Sequence, residues 1–159
     1  VMRALAGERS AVVRDWFERT LQSYPEQTSG FLRGEKDPFR NPVGHTLREG
    51  LGVLFDELAG EMDQARITAA LDAIVRIRAV QDHTASQAVA FLFLLKEILR
   101  EKSPAADLAM LENRIDRMAL LAFDLYMKCR EKIYEIKAEE AKRRVYVLER
   151  AGLKRGDAR

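Results

Sequence analysis

The sequence predicts an all-α fold, a bundle of about six helices ending in one long C-terminal helix. Three observations carry that expectation. Apolar residues recur at steps of three and four along most of the chain, and no segment alternates β-branched residues with period two. Helix start signals punctuate it at Asn41-Pro42, at Thr84-Ala85-Ser86-Gln87 and at Ser103-Pro104. From Ala105 to Ala151 neither glycine nor proline interrupts the pattern.

The first helix is expected from Glu8 to Tyr24, burying Val12, Val13, Trp16, Phe17 and Leu21. Pro25 ends it or opens a short second helix through Phe31 and Leu32, and Gly30, Gly34, Pro38 and Pro42 make the next segment a loop. Asn41 as N-cap and Pro42 at the first helical position start a helix to Glu61, with Val43, Leu47, Leu51, Leu54, Phe55 and Leu58 inward. A fourth helix spans Ala65 to Val80. Its stripe is Leu71, Ile74, Val75 and Val80, with Arg76 and Arg78 beside it. The Thr84 hydroxyl and Gln87 form a capping box for the fifth helix, the most apolar element, whose Val89, Phe91, Leu92, Phe93, Leu94, Leu95, Ile98 and Leu99 cover most of its circumference. Such a helix is central or lies under a partner.

At about 1.5 Å per residue the final helix would reach roughly 70 Å, more than a small domain can cover. Its stripe runs Leu111, Ile115, Met118, Ala122, Leu125 and Cys129, breaks register through Ile133 and Tyr134, and resumes as Ala138, Ala141, Val145 and Leu148. That is a heptad seam, so a homodimer paired along this helix is expected. The expected contact surface takes Phe91 and Leu95 from the fifth helix, Leu111, Ile115, Met118, Ala122, Leu125 and Cys129 from the near part of the seam, and Ile136, Val145 and Leu148 from its far part. Residues 1–136 then form the helical body and 137–159 a basic helical extension.

Composition sets the class. The chain has 159 residues, 47% hydrophobic and 33% charged, with a net charge of +2. Positions 137–159 hold eight Lys/Arg against four Asp/Glu, so the tail is basic and the rest slightly acidic. A lone cysteine, Cys129, excludes an internal disulfide and a cysteine metal cluster. The longest apolar run, Ala88 to Leu95, falls far short of a membrane span, and the N-terminus has no signal-peptide core; the simplest expectation is a cytoplasmic protein.

Two histidines are the candidates for chemistry. His45, within His45-Thr46-Leu47-Arg48, has the shape of a phosphoacceptor helix but no acidic residue directly after it to act as base; the plainer reading is a surface histidine in a first helical turn. His83, just before a helix N-terminus and near Phe91 and Phe93, resembles a proximal haem ligand but has no distal companion. Asp116 beside Arg117, and Asp124, are expected in ion pairs at a surface or interface, and the charge run from Glu139 to Arg144, followed by Arg150, Lys154 and Arg155, lacks base-reading neighbours apart from Tyr146. No catalytic group, cofactor, metal or nucleic-acid partner is therefore expected. A histidine phosphotransfer-like or ligand-binding regulatory domain remains the alternative.

The segment Arg76-Ile77-Arg78-Ala79-Val80-Gln81-Asp82, followed by Ser86-Gln87-Ala88-Val89 and Phe91-Leu92-Phe93-Leu94-Leu95-Lys96, resembles the N-terminal domain of RsbT co-antagonist proteins of the RsbR/RsbRD type. Ile115-Asp116-Arg117 and the stretch from Tyr126 to Lys132 are similar to its last helix. The resemblance covers about residues 8–145 and rests on packing positions. It implies a globin-like bundle without haem, dimeric through its last two long helices, acting as the sensory turret of a stressosome-type assembly. Such domains usually lead into a STAS domain carrying phosphorylated threonines. After Ser103 this chain has no serine or threonine, so that control does not carry over, and output through a separate STAS-type or other signalling protein is expected.

Overall fold

A computed structural model describes residues 2–103 and 105–156, with side chains described for 5–103 and 106–153. Among these residues there are seven helices and no strand: α1 (Met2–Gly7), α2 (Arg9–Leu21), α3 (Glu26–Gly34), α4 (Pro42–Ala59), α5 (Gln64–Val80), α6 (Ala85–Lys102) and α7 (Ala105–Gly156). The expected start of the last helix at Pro104 lies outside the described residues, as do the side chains of Lys154 and Arg155. The chain divides into two units, Val1–Tyr126 and Met127–Arg159.

In the first unit α4 packs on α5, and α2 packs on both α6 and α4. The core is aliphatic around one aromatic pair. Trp16 is fully buried, its ring stacked on Phe91 at 6.1 Å, and its Nε1 donates to the Phe91 carbonyl at 2.6 Å, which satisfies the indole where no water reaches it. The side chains of Leu47, Leu51, Leu54 and Leu58 line the buried face of α4, as their spacing predicts. Close packing of α4 on α5 depends on Gly50, where an added Cβ would come within 2.8 Å of Ile74 Cδ1.

Several expectations are corrected. An additional helix, α1, precedes the expected first helix, which forms as α2 and ends at Leu21 instead of Tyr24. Gly30 lies inside α3 and Gly34 closes it; the helix holds because Ser29 and Leu32 are buried beneath it. Val80 is 70% exposed while Arg78 is buried, the reverse of the expected stripe. Leu71, Ile74, Val75 and Arg78 stand at i, i+3, i+4 and i+7, so they share one face; Val80, nine residues after Leu71, points to the opposite side. Phe93, expected among the apolar face of α6, is likewise turned outward.

The helix ends are fixed by side chains. Asn41 Oδ1 accepts from the Gly44 amide at 2.9 Å, and its Nδ2 donates to the carbonyls of Leu32 and Glu35 at 3.0 and 2.9 Å. One buried amide thus starts α4 and closes α3. At α6 the predicted capping box is present, with Thr84 Oγ1 accepting from the Gln87 amide and Gln87 Oε1 from the Thr84 amide. Arg114 of α7 donates to the carbonyls of Leu58 and Gly60 at 2.7 and 2.8 Å, a cationic cap on the C-terminal end of α4.

From Met127 to Leu153 no side chain is fully buried, and only Cys129, Arg130 and Ile133 are partly covered.

Candidate functional site

The chain turns sharply after α5. Asp82 adopts a left-handed backbone with φ 58°, which aspartate tolerates, and the His83 amide donates back to the Arg78 carbonyl at 3.2 Å. This helix-ending motif brings the imidazole of His83 back beside Arg78. Here lies a cavity of about 260 Å³, whose lining includes Thr20, Ser23, Arg78, His83, Gln87 and Phe91.

Arg78 dominates it. The residue is 1% exposed, its guanidinium 5.4 Å from the Phe91 ring centroid and 5.7 Å from that of Tyr24. Nη1 donates to the Gln87 carbonyl at 3.0 Å, whereas Nε and Nη2 are buried with no hydrogen-bond partner. Burial lowers its pKa, opposed by Tyr24, and burial raises that of Tyr24, opposed by Arg78. His83 Nδ1 is also buried without a partner, and its ring meets Tyr24 edge-on at 5.7 Å. Burial first, and then the Arg78 charge, lower the His83 pKa, which favours the neutral imidazole. The hydroxyls of Thr20 and Ser23 donate to the Trp16 and Thr20 carbonyls at 2.7 and 2.8 Å, so toward a ligand they act as acceptors. This arrangement can hold an anion. It offers no nucleophile paired with a base.

Sequence reasoning placed Arg78 beside its stripe and missed it as a buried cation. The signal was present: an arginine completing the i, i+3, i+4, i+7 face of Leu71, Ile74 and Val75 is a buried charge that requires compensation.

The two histidines are not brought together. His45 is half-exposed and its Nε2 lies 3.1 Å from Glu49 one turn later, a surface pair. Among the described residues no group of three or more His, Cys, Asp or Glu side chains is placed to hold a metal ion. Asp116 is half-exposed and pairs with Lys96 of α6, and Glu112 pairs with Arg100 at 2.6 Å, so α7 is tied to α6 by two ion pairs.

Of the expected contact surface, Phe91, Leu95, Leu111, Ile115, Met118 and Ala122 are buried within the single chain. A heptad seam and a core-facing stripe have the same spacing, and here the body's own helices cover these positions. Leu125 and Cys129 are partly covered, while Ile136, Val145 and Leu148 are exposed. A different apolar surface is open on α6 and α7: Phe93, Leu120 and Phe123 line a broad groove of about 920 Å³. Among the described residues no helix is long and apolar enough to cross a membrane.

Neither the curated proteins nor the solved structures compared with this chain include a match to it. Residues 10–141 match the family described as the RsbT co-antagonist protein rsbRD N-terminal domain. That span takes in nearly all of α2 and continues well into α7, and the chain belongs to this family.

Proposed function

We propose that the chain is a non-catalytic sensory or regulatory module of the stressosome type, which pairs with a second copy along α7 and passes a signal to a STAS-type or other signalling partner through that helix. Membership of the rsbRD N-terminal domain family supports the sensory role, since it is a regulatory family and not a known enzyme family. Pairing is carried by one observation. Leu120, Met127, Tyr134, Ala141 and Leu148 follow each other at intervals of seven along α7, and all five are exposed. From Tyr134 onward, Ala138 and Val145 supply the intervening positions, all turned to water in the single chain. This accounts for the apparent register break at Ile133 and Tyr134: there the core-facing stripe runs out, and a second, outward series continues in its own register.

Sedimentation equilibrium, combined with crosslinking of a Val145→Cys variant in a Cys129→Ala background, tests the reading. A dimer with efficient Val145 crosslinks is expected. A monomer, or a dimer whose Val145 positions never meet, would overturn the relay.

A further inference from the structure

We propose that the cavity at Arg78 binds a small 2-hydroxy or 2-oxo carboxylate, its carboxyl group held side-on by Nε and Nη2 of Arg78 and its carbon body lying against Phe91 and Leu94. With Nη1 committed to the Gln87 carbonyl, the guanidinium keeps one edge free, and that edge carries two parallel N–H donors. It is the edge that matches the two oxygens of a planar carboxylate. No carboxylate among the described residues forms an ion pair with Arg78. A buried charge held only by one backbone carbonyl and two aromatic faces is poorly compensated, and an apolar side chain of similar length would serve the fold better. The charge therefore points to a group from outside the fold.

The surroundings narrow that group. A cavity of about 260 Å³ fits a metabolite of a few carbons. Arg78 is the single arginine or lysine lining it, and burial and the Arg78 charge lower the His83 pKa, so a monoanion suits the balance of charge better than a phosphate dianion. Ala90, Phe91 and Leu94 supply an apolar wall. His83 lines the same space, and a neutral imidazole nitrogen can accept from a hydroxyl or, as the other tautomer, donate to an oxo group.

The inference names an input for the sensory reading and rests on it for its biological meaning. Its test is binding to one chain, whereas that reading is tested by the pairing of α7, so either can fail alone. The full chain is titrated with lactate, pyruvate and 2-oxoisovalerate by calorimetry and by fluorescence of Trp16, the sole tryptophan, which stacks on the cavity residue Phe91. Lactamide serves as the neutral control and inorganic phosphate as the free anion. The expected result is saturable one-to-one binding of at least one carboxylate, none of lactamide, and weakening by about tenfold or more in Arg78→Met, which melts no lower than the parent chain. Should Arg78→Met fail to fold, Ala90→Phe, a change at an exposed residue of the cavity wall, is expected to block binding without loss of stability. Absence of binding by all three acids overturns the proposal. So does binding that both variants leave unchanged, or Arg78-dependent binding of phosphate alone.

Discussion

Within residues 1–126, Leu111, Ile115, Met118 and Ala122 of α7 are buried; within residues 127–159, Val145 and Leu148, at the same kind of spacing, are 54% and 70% exposed. Both sets lie on one helix that has neither glycine nor proline from Ala105 to Ala151, and both stand among mixed charges along an apolar stripe. What separates them is the company of other helices. In the first unit α7 runs alongside a body of six other helices, while the second unit is a single helical segment. Apolar periodicity states which face wants to leave water, and leaves open whether the cover comes from the same chain or another.

The difference predicts opposite outcomes for one kind of substitution. Leu92→Glu places a carboxylate at a fully buried site with no partner, a cost of about 5 kcal/mol or more, comparable to the whole stability of a small domain. Loss of cooperative melting followed by circular dichroism is expected. Val145→Glu and Leu148→Glu should leave that melting intact and weaken pairing, since each side chain that a partner covers contributes roughly 1.5–3 kcal/mol per chain. Sedimentation equilibrium reads the second effect. If the distal variants unfold the body, or if they remain dimers of unchanged affinity, the contrast between the two regions collapses.

Much of this contrast was legible in the residues themselves. The N-cap at Asn41, the capping box at Thr84 and the uninterrupted last helix all rest on local chemistry, which few tertiary contacts can override. The orientation of helix faces was harder to read. Val80 looked like part of a stripe because it is apolar, yet its angular position opposes Leu71; Phe93 sat among so many apolar neighbours that no face could be distinguished. The expected contact residues on α6 and on the near part of α7 are core positions of the single chain, because one spacing serves both roles. Arg78 lay hidden for a related reason: a buried cation is conspicuous only after the face it occupies is known.

A smaller effect tests the joints of the body. Asn41→Ala removes the acceptor of the Gly44 amide and the donor to two carbonyls at a buried site, and a loss of about 2–3 kcal/mol is expected in urea unfolding without change in the slope. Pairing of α7 should be unaffected.

The smallest effect is a dependence on pH that belongs to the body alone. His83 has its pKa lowered in the folded chain, chiefly by burial and further by Arg78. The folded state therefore resists a proton that the unfolded chain accepts at about pH 6.5. As pH falls below that value the unfolded chain binds more protons at this site, so His83 subtracts stability progressively until the folded pKa is reached. Because the ring is only partly buried, solvent screens the effect and it stays below that of any substitution above. Thermal melts at pH 7.5 and 5.5 should show a slightly larger drop in Tm for the parent chain than for His83→Gln, whose amide has no proton to gain. An equal drop in the two proteins would mean that His83 titrates alike in the folded and unfolded chains, leaving the Arg78 cavity without its neutral imidazole.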